Sequence, residues 1–329
     1  MHKMLVAVVL LSVGVLACGC NNSGGSGAAA GGPSAPGSGG AAAPKSHGTV
    51  GVSLLTMANP FFKVMGDSMQ AEGSKDGYAV TIQAGEMDSA RQKDQVNDFI
   101  VKKVSAIVLS PVDARSIGTS IQEANKAGIP VFTADTGCLD PAAKVVSHVA
   151  TDNYGGGKLA GEAMVEAIGD KGTVAIITHP EVESVILRAK GFKEVIAKHP
   201  GIKIVSELPG RGERDTSFKT AQDILEKHPD LNGLFAINDP SALGAVAAIE
   251  KAGKTAQIKV VGFDGMPEAK QAIKDGKIYA DIVQYPDKIG EMTIQSVGKY
   301  MAGEKVPPVN LIPAGTYKKA DAVKDASLK

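Results

Sequence analysis

Short apolar segments alternate with longer amphipathic segments along most of this chain. From Thr49 onward, runs rich in Val, Ile and Ala are separated by stretches in which apolar residues recur at helical spacing, as Phe62, Met65 and Met69 do before Gly77. This alternation predicts β-strands connected by α-helices, and therefore parallel sheets covered by helices. The first set of strands is predicted at 50–56, 80–84, 106–110 and 130–134, with helices at 62–77, 89–103 and 115–127.

A second set of the same kind follows it. Its strands are predicted at 173–178, 203–207, 233–237, 259–263 and 278–283, its helices at 155–168, 184–198, 216–227 and 241–251, and a last helix at 288–302. Roughly 280 residues from 49 onward are more than one compact core usually holds, so two lobes are expected. The predicted fold class is α/β, with two doubly wound parallel-sheet lobes of the Rossmann-like kind.

The N-terminal segment predicts export. Lys3 precedes an apolar run at 5–17, which has the length of a signal-peptide core and is too short to span a bilayer. Val15-Leu16-Ala17-Cys18 resembles the lipobox of bacterial lipoproteins, in which the cysteine is acylated, and Cys20 is a competing site. The alternative is ordinary secretory cleavage, with both cysteines structural. We expect a lipoprotein signal peptide at 1–18 and lipidation of Cys18.

The following segment, 19–47, is mainly Gly, Ala, Ser and Pro, a composition that predicts a disordered tether. The whole chain has 35 basic and 35 acidic residues, which gives no electrostatic support for a nucleic-acid partner. Cys138 is the only cysteine after the tether, so no structural disulfide is expected there. The six histidines are scattered, and Gly155-Gly156-Gly157-Lys158 lacks the spacing of a phosphate loop, so neither a metal nor a cofactor is predicted.

Five polar residues follow predicted strands: Asn59, Asp135, Asn238, Asp264 and Gln284. Because ligands of open parallel sheets bind beyond the carboxyl ends of the strands, these side chains are expected to converge on one site. Amides and carboxylates exchange hydrogen bonds with neutral hydroxyl groups, and the set contains no nucleophile paired with a base. The sequence therefore favours a receptor for a sugar or polyol.

Several motifs add a family resemblance that covers residues 49–315. Ala58-Asn59-Pro60-Phe61-Phe62 resembles a signature of the ribose-type periplasmic binding proteins. Further matches occur in the same order at 147–153, 235–239, 261–265 and 284–287. The chain is thus similar to the ribose/galactose type of periplasmic sugar-binding protein, type I.

The resemblance implies two lobes joined by three crossings of a hinge. These crossings are expected near Thr151, Gln284 and Asn310. The first lobe would comprise 48–151 and 285–310, and the second 152–284 and 311–329. Gln284 would then either bind the ligand or pair with backbone at the hinge.

Other roles are open for the remaining candidates. Asn59 would either bind a hydroxyl group or cap the helix that Pro60 begins. One of Phe61 and Phe62 is expected against the sugar ring and the other in the core, with Phe61 the better ligand candidate because Phe62 shares its spacing with core residues. The carboxylates after the strands, Asp135 and Asp264, would accept from hydroxyl groups or form caps and salt bridges.

The chain departs from the ribose-specific pattern at three positions. Thr136 and Ile186 stand where ribose binders carry arginine, although Arg188 is retained, and Gly212 replaces an aromatic residue. Fewer guanidinium donors make ribose itself doubtful and leave a hexose, a ketose, an alditol or an inositol open. The loop His179-Pro180-Glu181 resembles one that contacts ligand in glucose/galactose binders, and its alternative is a solvated turn. The ligand set is completed by Thr136, His179, Glu181 and Arg188.

The predicted function is an extracytoplasmic solute receptor of a sugar ABC importer, which closes its lobes on the ligand and delivers it to a membrane permease. We expect a monomer, periplasmic or on the cell surface, that contacts the membrane through a lipid anchor. The alternative is a sensor that presents a bound sugar or signalling molecule to a chemoreceptor or histidine kinase. An enzyme is not expected, because the first strand lacks a Gly-x-Gly-x-x-Gly turn and nothing indicates a glycosidase pair.

Overall fold

The computed structural model describes residues 47–329. The predicted signal peptide at 1–18, the lipidation candidate Cys18 and nearly all of the predicted tether lie outside the described residues. No helix among the described residues combines the length and the apolar character needed to cross a membrane.

Strands and helices alternate along the described chain. The strands are β1 Thr49–Leu54, β2 Ala79–Ala84, β3 Ala106–Leu109, β4 Val131–Ala134, β5 His148–Thr151, β6 Gly172–Thr178, β7 Ile202–Pro209, β8 Gly233–Ala236, β9 Lys259–Asp264, β10 Ala280–Val283, β11 Val309–Ile312 and β12 Gly315–Lys318. The helices are α1 Pro60–Lys75, α2 Ser89–Val101, α3 Ile117–Lys126, α4 Asn153–Ile168, α5 Glu183–Ile196, α6 Arg214–Lys227, α7 Asp239–Lys251, α8 Pro267–Lys274, α9 Pro286–Met301 and α10 Lys319–Ala322.

The strands form two six-stranded sheets, as the predicted α/β class with two doubly wound lobes requires. The first sheet has the order β11-β5-β4-β3-β1-β2, and all of its pairs are parallel. The second has the order β12-β10-β9-β8-β6-β7 and is parallel except where β12 runs antiparallel to β10. Central strands such as β3 and β8 are buried along their whole length, which explains their continuous apolar sequences.

Three connections cross between the sheets. The first follows Thr151 at the end of β5, and the second lies at Gln284 and Tyr285, between β10 and α9. The third follows Ile312, because Leu311 and Ile312 pair with β5 of the first sheet. The boundary expected after Asn310 is therefore two residues too early.

The last long helix returns to the first lobe. Helix α9 packs on α1, and the contact is so close that a Cβ on Gly290 would lie 2.4 Å from the carbonyl oxygen of Met65. Ser68 also donates a hydrogen bond of 2.6 Å to the carbonyl of Asp287. Glycine at 290 thus allows the helix to seal the core of this lobe.

Candidate ligand-binding site

One cavity lies between the lobes at the carboxyl ends of strands from both sheets. The space inside it that is open to water-sized molecules is about 40 Å³, so the lobes leave only a small cavity between them. Nine of the predicted site residues line it: Asn59, Phe61, Phe62, Asp135, His179, Arg188, Asn238, Asp264 and Gln284. The topology thus brings together side chains that are as much as 225 positions apart, from Asn59 to Gln284.

Asn59 performs two tasks at the start of α1. Its Oδ1 accepts a hydrogen bond from the backbone N–H of Phe61 at 3.0 Å, which caps the helix. Its Nδ2 donates to Oδ2 of Asp264 at 3.1 Å. Because Asp264 belongs to the second sheet, this bond joins the two lobes inside the site.

The two phenylalanines form one aromatic wall. Phe61 and Phe62 are both buried, and their rings meet edge to face with centroids 5.2 Å apart. Both line the cavity and both belong to the core cluster. The structure therefore does not divide them into one ligand residue and one core residue.

Asp264 is held by side chains from the first lobe and the hinge. Gln284 donates from Nε2 to its Oδ1 at 2.8 Å, and the backbone N–H of Gln284 donates to its carbonyl at 3.0 Å. The backbone pairing considered for Gln284 is thus present, and its side chain also lines the cavity. The Oε1 atom of Gln284 has no hydrogen-bond partner among the described residues and remains available as an acceptor.

Arg188 is a buried cation between two carboxylates. Its guanidinium carbon lies 3.9 Å from the centre of the Phe263 ring, while Nε donates to Asn153 at 2.7 Å and Nη1 to the carbonyl of Ile237 at 2.8 Å. It lies 3.6 Å from Asp264 and 4.0 Å from Asp135. The side chain is therefore fixed by the second lobe and faces a carboxylate of the first.

Asp135 is buried and strained. Its backbone φ is +69°, in the left-handed region that non-glycine residues seldom adopt. Burial raises the pKa of Asp135 to about 7, opposed by Arg188 and reinforced by the carboxylates of Asp264 and Glu183. Its Oδ1 has no hydrogen-bond partner among residues 47–329. Such an atom at a cavity is suited to accept from a ligand.

Burial also raises the pKa of Asp264, although Arg188 and the hydrogen bonds from Asn59 and Gln284 oppose it. Three donors around one carboxylate favour its charged form. Asp264 is thus held in place by side chains of both lobes before any ligand enters.

Asn238 caps the first turn of α7 and also reaches a loop of the same lobe. Its Oδ1 accepts from the backbone N–H of Ser241 at 3.0 Å, and its Nδ2 donates to the carbonyl of Gly212 at 3.0 Å. Gly212 has φ +68°, and a Cβ there would lie 3.0 Å from Nδ2 of Asn238. Glycine is required by this conformation, so the aromatic residue of the ribose pattern has no equivalent here.

His179 lies beside this glycine. Its side chain is buried, and burial lowers the pKa of the imidazole. A Cβ on Gly212 would be 3.8 Å from its Nδ1. His179 therefore borders the space that Gly212 leaves free.

Two predicted residues do not line the cavity. Thr136 is fully buried, and its Oγ1 accepts from the backbone N–H of Ser184 at 3.2 Å. The Glu181 side chain is 52% exposed and lies 3.5 Å from Nε2 of His179. Ligand contact by Thr136 and Glu181 stays a prediction, because the Thr136 side chain is used between the lobes and the Glu181 side chain faces solvent.

Sequence reasoning missed several wall residues: Leu55, Thr56, Met87, Val182, Ser184, Val185 and Ile237. Most of them are apolar and follow no polar strand-end pattern, so the sequence offers no sign that separates them from core residues. Two of them, Thr56 and Ser184, are polar, and Ser184 lies three residues after the loop 179–181 that the resemblance indicated.

The two lobes touch directly around the cavity. Besides the Asn59–Asp264 bond, Ala114 donates its backbone N–H to the carbonyl of Glu181 at 2.9 Å. Gly137 likewise donates to Oε2 of Glu183 at 3.1 Å. The structure thus represents a form in which the lobes are closed on one another.

Known proteins share this architecture. A model of the periplasmic binding protein domain matches residues 50–305. The ribose import binding protein of Salmonella typhimurium is 35% identical over 267 residues, which cover 80% of this chain and 89% of that protein.

Solved structures agree with this match. An ABC transporter periplasmic solute binding protein from Actinobacillus succinogenes with bound D-allose superposes with a TM-score of 0.78 at 30% identity, covering 84% of this chain and 100% of that one. An ABC transporter solute binding protein from Bacillus halodurans with bound myo-inositol gives a TM-score of 0.79 at 26% identity, covering 85% and 97%. The chain therefore belongs to the periplasmic sugar-binding protein family.

Proposed function

We propose that this protein is the solute receptor of a sugar ABC importer and captures a neutral monosaccharide or polyol between its lobes. The observation that carries the proposal is the pair of buried acceptors, Oδ1 of Asp135 and Oε1 of Gln284, which have no hydrogen-bond partner among the described residues. A ligand that satisfies both acceptors must supply several hydrogen-bond donors. A polyol supplies such donors without charge.

The charge of the cavity supports a neutral ligand. Two carboxylates, Asp135 and Asp264, share the single guanidinium of Arg188, and two of its nitrogens already donate to Asn153 and Ile237. An anionic ligand would meet the carboxylates without a free cation to pair with, which is costly in a buried site. Sugars bound by the related structures, D-allose and myo-inositol, carry no charge.

The geometry supports binding and not catalysis. Asp135 has the raised pKa of a general acid, but both it and Asp264 face Arg188, and amides donate hydrogen bonds to Asp264. The rest of the cavity wall is largely apolar, with aromatic rings suited to the C–H face of a sugar. The ligand would leave the site unchanged.

Closure of the lobes would be the signal to the membrane partner. Bonds such as Asn59–Asp264 exist only when the lobes meet, so a ligand that bridges both lobes favours the closed form. We extend the proposal to an extracytoplasmic monomer, held at the membrane by acylated Cys18 and docking on an ABC permease.

A thermal-shift screen of the full chain tests this function. The panel comprises D-ribose, D-allose, D-tagatose, myo-inositol, alditols and, as charged controls, sugar acids and sugar phosphates. A ligand at a hundredfold its dissociation constant stabilises a protein by about 2.7 kcal/mol, which shifts the melting temperature clearly.

We expect a neutral compound to give the largest shift and Asp264→Ala to abolish it. The exposed Asp223 has no contact with the cavity, so Asp223→Asn is the matched control and should respond like the wild type. A shift by the charged compounds alone would contradict the proposal.

A further inference from the structure

Two buried carboxyl groups lie directly behind the turn that carries Asp264. Asp239 is the first residue of α7, and Asp281 belongs to β10, next to β9 in the second sheet. Both are almost completely buried, and neither lines the cavity described above. Their burial needs an explanation, because an unpaired carboxylate in the interior is costly.

Each carboxyl group holds one backbone N–H of the turn. Oδ2 of Asp281 accepts from Gly265 at 3.0 Å, and Oδ2 of Asp239 accepts from Met266 at 2.7 Å. In addition, the backbone N–H of Asp239 hydrogen-bonds the carboxylate of Asp264. The two groups therefore bind three consecutive residues of the turn.

The backbone of the turn is strained. Asp264 has φ +124° and Gly265 φ +80°, both in the region that favours glycine. A Cβ on Gly265 would lie 2.9 Å from Val283, so the backbone runs close to the neighbouring strand. Strained conformations of this kind persist only when surrounding contacts define them.

The remaining oxygens of the pair face each other. Built on Gly262, a Cβ would lie 3.0 Å from Oδ1 of Asp281 and 3.5 Å from Oδ1 of Asp239, so both atoms lie over the same glycine. Both Oδ1 atoms are buried, and neither has a hydrogen-bond partner among the described residues. Two carboxylates are both acceptors, so a bond between these neighbouring groups would require a proton on one of them.

We propose that Asp239 and Asp281 are positioning residues for ligand binding, which share one proton and in that state hold the 264–266 turn so that Asp264 faces the sugar. The inference rests on the proposed function for its ligand. The pair acts through Asp264 and does not contact the ligand itself. Loss of the shared proton places two negative charges side by side, so the turn loosens and Asp264 is displaced.

The surroundings define when the proton is lost. The charged groups that act on the pair are Asp264 from β9 and, more distantly, Arg188 from α5. Burial raises the pKa of Asp281 to about 7, and burial with the neighbouring carboxylates raises that of Asp239. The pair is therefore protonated once in mildly acidic solution and loses this proton in alkaline solution.

Variants of Asp281 distinguish a role of the shared proton from a role of side-chain packing alone. In Asp281→Asn the amide oxygen can accept from Gly265 while the NH₂ group donates to Asp239, so the arrangement is kept without a titrating proton. In Asp281→Ala both bonds are lost. Asp239→Asn makes the reciprocal exchange and serves if Asp281→Asn does not fold, and Asp223→Asn is the exposed control.

The first measurement needs no ligand. We compare melting temperatures of the full chain from about pH 5 to 9 for the wild type and Asp281→Asn. A proton held by the folded state and absent from the unfolded state stabilises most at low pH, so the wild type should lose stability relative to Asp281→Asn as the pH rises towards about 8. If the melting temperatures of the two proteins change in parallel with pH, Asp239 and Asp281 do not share a proton.

The second measurement is calorimetry with D-ribose, D-allose and myo-inositol as probes. At about pH 6, Asp281→Asn should bind within roughly threefold of the wild type, and Asp281→Ala at least about tenfold more weakly. Towards pH 8.5 the wild type should weaken relative to Asp281→Asn by about tenfold. Equal binding by Asp281→Ala and the wild type would overturn the positioning role. If no probe binds, the proposed function fails. The ligand-free melting profiles still show whether Asp239 and Asp281 share a proton.

Discussion

At the scale of single residues, the site depends on one buried cation shared by two carboxylates. Arg188 is fixed by Asn153, Ile237 and the ring of Phe263, and it faces Asp264 and Asp135. Buried ion pairs add little stability compared with apolar residues of the same size, but removing one partner leaves an uncompensated charge. Arg188 therefore matters chiefly because the carboxylates are already there.

Replacing this cation should be severely destabilising. Arg188→Met keeps much of the side-chain volume but leaves Asp135 and Asp264 unpaired, at an expected cost of about 3–5 kcal/mol in the free energy of unfolding. Urea unfolding checks this value. Arg214→Met removes an exposed ion pair with Glu268 and serves as the control, with an expected cost of less than about 1 kcal/mol. Equal losses in both variants would contradict the role of Arg188.

Asp135 should make stability depend on pH. Its pKa is raised to about 7 by burial, above the value of ~3.9 expected in the unfolded chain. The folded state thus holds a proton that the unfolded state has lost, so this contribution to stability is complete below pH ~4 and disappears as the pH rises through ~7. Asp135→Asn should flatten the melting profile over this range. An unchanged slope would show that Asp135 is ionised in the folded protein.

At the scale of elements, two residues that cap helices also line the cavity. Asn59 caps α1 and Asn238 caps α7, and each keeps its Nδ2 for a second partner, Asp264 or Gly212. The sequence left open whether Asn59 caps the helix or faces the ligand. In the structure its amide oxygen caps α1, while its amide nitrogen donates to Asp264 in the cavity. The oxygen fixes the helix, which in turn fixes the nitrogen at the cavity.

Variants of Asn59 separate these tasks. Asn59→Ser keeps an N-cap oxygen but lacks the amide that reaches Asp264, so stability should be nearly unchanged while sugar affinity falls. Asn59→Ala loses the cap as well and should cost a further ~0.5–2 kcal/mol of stability. Denaturant melts and calorimetry on both variants provide the comparison. If Asn59→Ser binds sugar as the wild type does, the amide has no part in the site.

Most long elements were predictable from the sequence, whereas several short ones were not. Helix α9 and strand β9 have clear periodicity or continuous apolar runs. Strands β5, β11 and β12 have only four residues each, and β11 and β12 at the sheet edges are partly exposed, so no apolar pattern distinguishes them. Helix α8 is eight residues long and has only three buried residues.

The location of the site was predictable from the sequence, but the direction of individual side chains was not. Polar residues after strands, such as Asp264, indicated where the cavity is because parallel strands end at a common edge. Thr136 follows Asp135 in sequence but does not line the cavity, because its hydroxyl accepts a hydrogen bond from the backbone N–H of Ser184. Side-chain direction at a strained residue depends on the backbone, and the φ of +69° at Asp135 has no signature in the sequence.

At the scale of the whole molecule, the three connections make lobe movement the natural response to a ligand. Direct bonds between the lobes, such as Gly137 to Glu183 and Ala114 to Glu181, are few. A ligand that bonds Asp135 on one side and Asp264 on the other adds to them only in the closed form. Ligand binding and lobe closure are thus coupled, and the ligand shifts the receptor towards the closed form.

The decisive experiment is calorimetric titration of the neutral sugar that stabilises the full chain most, into the wild type and into Asp264→Ala. We expect saturable binding of one sugar per chain in the wild type and at least a hundredfold weaker binding in Asp264→Ala, which is ~2.7 kcal/mol or more. Equal affinities in the two proteins would place the ligand outside this cavity. Saturable binding of an anionic sugar alone would contradict a receptor for neutral polyols.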